Sequence, residues 1–301
     1  MSRLKHLVPV RVRRSLRRLW SETRAGRFLA WHLTDLREKG ARLLGLGDPL
    51  LPPLRLREQV GNADFRATGA TILGELVALA GLRPGESVLE VGCGCGRIAV
   101  PLTGYLGARG RYEGFDICEP LVRWCRRHVT PRFPNFAFRH ADIYNGHYNP
   151  RSRTRACEYR FPYPDGEFDL VFLTSVFTHL LPADLEHYLA EIARVLRPGG
   201  RCFATAFLLN AESLRLAGEG AGQFRFGPAR DGWATLDPAD PEAAVAYEEG
   251  PFLERFRRHG LSVRRPIDFG DWCGRAGCRA GQDIVVAFKA DSPRAPGGAG
   301  T

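Results

Sequence analysis

Lysine is nearly missing from this chain: Lys5, Lys39 and Lys289 are the whole set, so a net charge of +10 over 301 residues is almost all guanidinium. That charge is uneven. The first sixty residues hold fourteen Arg and Lys against five Asp and Glu, about +9 of the total. A protein that tracks nucleic acid usually carries its basic face on the functional domain, whereas the remainder of this chain is close to neutral. Long apolar runs are missing too. None follows the basic Met-Ser-Arg-Leu-Lys start, which argues against a secretory signal, and no stretch approaches the length of a membrane span. The eight cysteines lack the spacing of a small secreted disulfide framework. Cys93 and Cys95 sit in a glycine-rich turn, and Cys118, Cys125 and Cys202 in apparent core elements, so reduced thiols in a cytosolic protein are expected. Cys273 and Cys278 have no second ligand pair nearby, which argues against zinc.

With 44% hydrophobic residues the chain can bury one sizeable core plus an extension or insertion. The organising stretch is Val88-Leu89-Glu90-Val91-Gly92-Cys93-Gly94-Cys95-Gly96-Arg97-Ile98. Val88, Leu89 and Val91 read as a buried strand. It passes into a glycine turn, and Ile98, Ala99, Val100 and Leu102 restart the apolar pattern as a helix. This is the opening unit of a doubly wound α/β sheet, whose ligands bind at the carboxyl ends of the strands. A dinucleotide fingerprint would need its third glycine at position 97, which is Arg97, so that reading fails.

Further units follow. Tyr112–Ile117 is a second strand ending in Asp116, about twenty residues after Gly96, the spacing at which a carboxylate reaches a ribose diol; a helix N-cap is the competing role. Phe136–Ile143 reads as a third strand closing on Asp142, and residues 145–165 as a polar, Arg-rich loop with Arg151, Arg153 and Arg155 available to an acidic substrate. Phe168–Leu173 is a fourth strand, followed by Thr174 to Leu180. Residues 183–196 are helical, Arg197-Pro198-Gly199-Gly200 stops them, and Arg201–Phe207 is a fifth strand. Residues 208–249 break the alternation and read as an aromatic, substrate-facing cap. Strands are expected at 261–266 and 283–289, with a glycine-rich loop at 269–282. The Pro/Gly/Ala-rich tail after Ser292 reads as disordered. Ahead of all this, residues 11–46 place Leu16, Leu19, Trp20, Phe28, Trp31, Leu43 and Leu44 at helical intervals among arginines, with Gly26 and Gly40 expected to break two or three short helices. Such a helix either lies on an anionic surface or packs with its charged face in water.

The E-x-G-x-G-x-G turn, Asp116, Asp142, Phe168-Asp169-Leu170-Val171 and the Leu196-Arg197-Pro198-Gly199-Gly200 turn, taken in order over residues 62–207, resemble the class I S-adenosylmethionine (SAM) dependent methyltransferases. The resemblance implies a seven-stranded, mostly parallel sheet with the last strand antiparallel, an N-terminal extension over 1–60, a SAM-binding domain over 61–290 with the cap at 208–249, and a tail at 291–301. It implies SAM as cofactor, with Glu90, Gly92, Cys93, Gly94 and Gly96 at the methionine half. Asp116 with Ile117 then falls at the ribose, Asp142 with Ile143 at the adenine, and Thr174 near the methyl group. Residues 174–177 are not the Asn/Asp-Pro-Pro-Tyr/Phe motif of amino-directed DNA enzymes, nor the paired glutamates of arginine methyltransferases, nor a metal-binding acidic cluster. The expected reaction is therefore metal-independent methylation of a small-molecule or sugar hydroxyl, the acceptor anionic or glycan-linked. His179 and Glu248 are the candidate bases, with Tyr247 beside them. Two other readings stay open. One is an RNA methyltransferase using the basic arm. The other is a non-catalytic SAM-binding protein at the inner membrane surface, held there by contact of residues 1–50 with anionic lipid or an acidic partner.

Overall fold

A computed structural model describes residues 24–61 and 64–291; residues 1–23, 62–63 and 292–301 lie outside the described residues. Leu16, Leu19 and Trp20 of the expected basic helices and the tail after Ser292 fall there. Two compact units divide the chain, Met1–Ala63 and Asp64–Thr301.

In the first unit, α1 (Arg24–Leu43) runs unbroken through Gly26 and Gly40, which corrects the expectation of two or three pieces. A lone glycine costs a helix only about 1 kcal/mol, too little to end one on its own. A single turn, α2 (Leu54–Arg57), and a 3₁₀ turn at Glu58–Val60 follow, and Arg57 is hydrogen-bonded to Glu38 of α1.

The second unit opens with α3 (Phe65–Ala80), whose N-cap Asp64 accepts from Ala67 N at 2.7 Å and whose C-cap Gly81 is left-handed. Then come β1 (Ser87–Val91), the short α4 (Ala99–Leu102), β2 (Arg111–Asp116), α5 (Glu119–His128), β3 (Phe136–His140) and β4 (Phe168–Leu173). The chain continues through α6 (Pro182–Val195) and β5 (Leu196–Ala206) and ends in α8 (Glu249–Arg258), β9 (Leu261–Val263) and β10 (Asp283–Lys289). The sheet order is β3-β2-β1-β4-β5-β10-β9. β10 runs antiparallel to both β5 and β9, and the other neighbours are parallel. This is the expected architecture, with the antiparallel last strand β10 between β5 and β9. The pairing of β5 with β4 shifts register between Phe168 and Leu170, where the Arg197–Gly200 segment is taken up as a bulge.

β1 and β4 are buried on both faces, with Leu89, Val91, Val171 and Leu173 in the main core, as strands covered by helices on either side must be. A buried ion pair closes the other end of the sheet. Arg201 on β5 donates to both oxygens of Glu86 at 3.0 and 2.6 Å, and to the carbonyls of Ala80 and Gly81 at 2.7 and 3.1 Å.

The 208–249 segment builds a second sheet of three strands in the order β6-β8-β7: β6 (Leu208–Leu209), β8 (Val245–Glu248) and β7 (Trp233–Thr235), with α7 (Ala211–Gly218) between β6 and β7. Its aromatics Phe224, Phe226 and Trp233 are half-buried. Phe224 and Phe226 pack on Phe207 at 4.9 and 5.2 Å and, with Trp272, form a small core of their own. Other residues of the insertion, Leu208, Val245 and Tyr247, join the main core instead. Asp283 anchors that core to the start of β10: wholly buried, it accepts from the backbone N–H of Leu208 and Gly270 and from Trp272 Nε1, each at 2.8 Å.

Candidate functional site

The glycine turn joins β1 to α4 at the carboxyl end of the sheet. Gly92, Gly94 and Gly96 all have positive φ, 77°, 52° and 81°, which glycine tolerates and other residues resist. Gly92 is tight as well as left-handed, since a Cβ there would stand 2.5 Å from Val176 Cγ2, beyond the end of β4. Gly92→Ala is therefore expected to lower stability by about 1–3 kcal/mol. Thermal unfolding checks this: an unchanged midpoint would mean that the turn and residue 176 are not in contact.

The second strand end is tied into that turn. Asp116, last residue of β2, accepts from Gly94 N at 2.7 Å and from Cys118 N at 2.8 Å. Glu90 accepts from the phenol of Tyr112. Burial is the main reason that both carboxyls are pushed above their ordinary range, and at Glu90 the nearby charge of Asp116 adds to it. Two acidic groups so close, with few cations about them, suit a ligand that brings hydroxyl donors and positive charge. Cys93, between them, is buried and its thiol is pushed up by the same burial.

The third strand end departs from expectation. β3 stops at His140, not Asp142: Ala141 N still bonds Asp116 O of β2, but Ile143 N turns back to Ala141 O. Asp142 is exposed and accepts from Asn149 Nδ2 at 3.1 Å. Ile143 is buried in the main core, which leaves it no open face for a ring, whereas Ile117 is half-buried at the core's edge.

Beyond β4, Thr174 is half-buried and Ser175 is held at φ 57°, a conformation that costs a non-glycine residue of order 1 kcal/mol and gathers at functional sites. Ser175 N donates to Thr205 Oγ1 at 2.8 Å, and Gln282 Nε2 donates to Ser175 Oγ at 2.9 Å. His179 closes a 3₁₀ turn, Phe177–His179, and α6 begins only at Pro182. Its Nδ1 stands 2.8 Å from the carbonyl oxygen of Glu242, and its Nε2 is 3.4 Å from the hydroxyl of Tyr148. Burial pushes its pKa below the ordinary imidazole value, although the hydrogen bond to the Glu242 carbonyl opposes the shift.

Glu242, in the 3₁₀ turn Pro241–Ala243 of the insertion, had no signal in the sequence. Glu248, the other candidate base, lies at the end of β8, opposite Leu209, with its N–H on Gly232 O and α8 beginning at the next residue. Tyr247 is excluded as a base, because its buried hydroxyl donates to Leu180 O at 2.7 Å and burial pushes its pKa upward. Arg151, Arg153 and Arg155 are exposed. Among the described residues, no group of three His, Cys, Asp or Glu could hold a metal ion.

Residues 89–204, which span the glycine turn, both carboxylates and β4, match the family model described as methyltransferase domain. Over these residues the chain is similar to class I SAM-dependent methyltransferases. Residues of this chain are 33% identical over 172 positions to nocamycin O-methyltransferase of Saccharothrix syringae, covering 57% of this chain and 52% of that one. They are 30% identical over 134 positions to the ubiquinone/menaquinone biosynthesis C-methyltransferase of Cupriavidus necator, covering 44% and 47%. The chain thus spans about half the length of these curated relatives. The PH0226 protein of Pyrococcus horikoshii OT3 shares the fold, with a TM-score of 0.51 and 16% identity over 77% of this chain and 93% of that one.

The cofactor of a methyltransferase domain of this class is SAM, and the turn fits it. Asp116 retains acceptor capacity beyond its two backbone donors, the glycines keep side chains out of the turn, and the two buried carboxyls match a cation. None of the eight cysteines is in a disulfide, and no helix among the described residues is long and apolar enough to cross a membrane.

Proposed function

We propose that this protein transfers the methyl group of SAM to a hydroxyl of a small molecule, with His179 as the general base. The observation that carries the reading is the 2.8 Å approach of His179 Nδ1 to the Glu242 carbonyl. A carbonyl can only accept, so the hydrogen sits on Nδ1 and Nε2 keeps its lone pair. Burial keeps the ring neutral near pH 7, the form a base requires. When bound, SAM supplies an electrophilic methyl on a sulfonium that loses its charge on transfer. Glu90, Gly92, Cys93, Gly94 and Gly96 would hold the methionine half, Asp116 and Ile117 the ribose, Asp142 the adenine edge, and Thr174 the approach to the methyl. Of the adenine pair, Ile143 contributes packing from the core rather than an open face. Alignment of acceptor and methyl by these residues supplies several kcal/mol, and His179 Nε2 removes the hydroxyl proton.

The O-methylating relative supports oxygen as the acceptor atom, and the neutral second unit supports a small acceptor over RNA. The exposed arginines of residues 151–155 would favour an anionic or glycan-linked one. We place the chemistry in residues 61–290, with 208–249 as its insertion, and take the basic residues 1–50 as an arm for an anionic membrane face or an acidic partner in the cytosol.

A panel of phenols, alcohols and sugars with methyl-labelled SAM tests the reading. Label on oxygen, with kcat lowered about 100- to 10,000-fold in His179→Ala and SAM affinity unchanged, is the expected result; label only on carbon or only in RNA would overturn it. Since the neutral imidazole is the active form and its pKa lies below 6.5, kcat should rise with pH through a midpoint below that value and then level off. A midpoint above it would exclude His179 as the group seen.

A further inference from the structure

We propose that Asn145 is a positioning residue that locks His179 with its hydrogen on Nδ1, by clamping the 208–249 insertion against the turn after β4. This rests on the role of His179 given above, but the lock itself can be read without turnover.

Three segments far apart in the chain meet at this one side chain. Asn145 is buried, two residues into the loop after Ile143. Its Nδ2 donates to the carbonyl of His179 at 3.2 Å and to Glu242 Oε1 at 3.0 Å. Its Oδ1 accepts from the backbone N–H of His147 at 3.2 Å and of Tyr148 at 2.9 Å. Both amide hydrogens and both lone pairs are therefore engaged, the full capacity of the side chain. Glu242 completes the clamp, since its Oε2 accepts from Gly146 N at 2.5 Å. The result is that the Glu242 carbonyl is held where His179 Nδ1 must donate to it. Without Asn145, the Glu242 side chain would keep only its bond from Gly146 N, and the imidazole could rotate or change tautomer.

The surroundings tune the ring without replacing the clamp. The ring of Tyr148 meets that of His179 edge-on at 5.0 Å, and the His147 ring lies nearly parallel to His179 at 6.4 Å. His147 Nδ1 is 2.7 Å from Asp240 Oδ2. The charged groups facing His179 are thus His147, Asp240 and the Glu242 carboxyl. His147, when charged, opposes protonation of His179, and Asp240 favours it.

The test is two-bond ¹H–¹⁵N correlation of the full chain labelled at its eight histidines, from pH 5 to 9, with His179→Gln assigning the signal. In the wild type, His179 is expected as the Nδ1–H tautomer, with Nε2 unprotonated, titrating below its ordinary midpoint. Asn145→Ala should give a mixture of tautomers, because the Nδ1 hydrogen is no longer held on the Glu242 carbonyl. Affinity for S-adenosylhomocysteine by calorimetry should stay within about twofold, because the cofactor turn is untouched. Glu242→Gln, which preserves size and can keep one of the two bonds, should move His179 the same way by less, and it decides the matter if Asn145→Ala does not fold. An unchanged tautomer in the folded variants would overturn the lock. If the spectra behave as expected while His179→Ala retains full methyl transfer, the clamp stands and the base assignment falls.

Discussion

Asp116→Ala is expected to weaken binding of SAM and S-adenosylhomocysteine by about 1–3 kcal/mol, the range for stranding buried polar groups, roughly 5- to 150-fold in Kd. Two losses combine. The ribose hydroxyls lose their acceptor, and Gly94 N and Cys118 N, which Asp116 holds at 2.7 and 2.8 Å, lose theirs, so the turn itself is less defined. Asp116→Asn separates the two, because an amide oxygen still accepts from one N–H but carries no charge. Isothermal calorimetry on the three proteins reads the result. An Asp116→Ala protein that binds SAM like the wild type would remove the second strand end from the cofactor site.

Arg201→Ala should cost about 3–5 kcal/mol of stability, as breaking a buried ion pair from one side does. Glu86 and Arg201 are both nearly inaccessible, and the lone carboxylate would stay buried with only Arg83 to meet it. Denaturant unfolding of Arg201→Ala, Glu86→Ala and the double variant forms the check, and the double should cost less than the sum. Strictly additive losses would mean that the pair is not coupled. The pH dependence has a definite sign. Burial alone would raise the carboxyl of Glu86, but the Arg201 guanidinium overcomes this and holds it below its ordinary value. A carboxyl lowered on folding contributes stability that is present above its unfolded pKa and is lost as pH falls through the folded one. The wild type should therefore lose this part of its stability in acid, below the usual carboxylate range, and the double variant should not.

Much of the sheet could be read in advance because its signals are local. A buried parallel strand needs a continuous apolar run, so Val88–Val91 and Phe168–Leu173 stood out, and a strand end bearing a carboxylate twenty residues past a glycine turn is a spacing rule. Errors fell where tertiary contacts outweigh local preference. Gly26 and Gly40 did not break α1, because a helix tolerates isolated glycines. The apolar pattern carries β3 on to Asp142, but after the last bond to β2, from Ala141 N to Asp116 O, the backbone turns back on itself through Ile143 N and Ala141 O.

The sequence by itself determined the order of the strands' apolar runs, the glycine turn, and the positions of Glu90 and Asp116 on neighbouring strand ends, since each depends on residues a few positions apart. Only the tertiary structure decided that the Glu242 carbonyl meets His179, and that Asn145 joins them. These contacts link residues 34 to 97 positions apart, and no periodicity or spacing along a chain encodes which distant loops close over the same strand end.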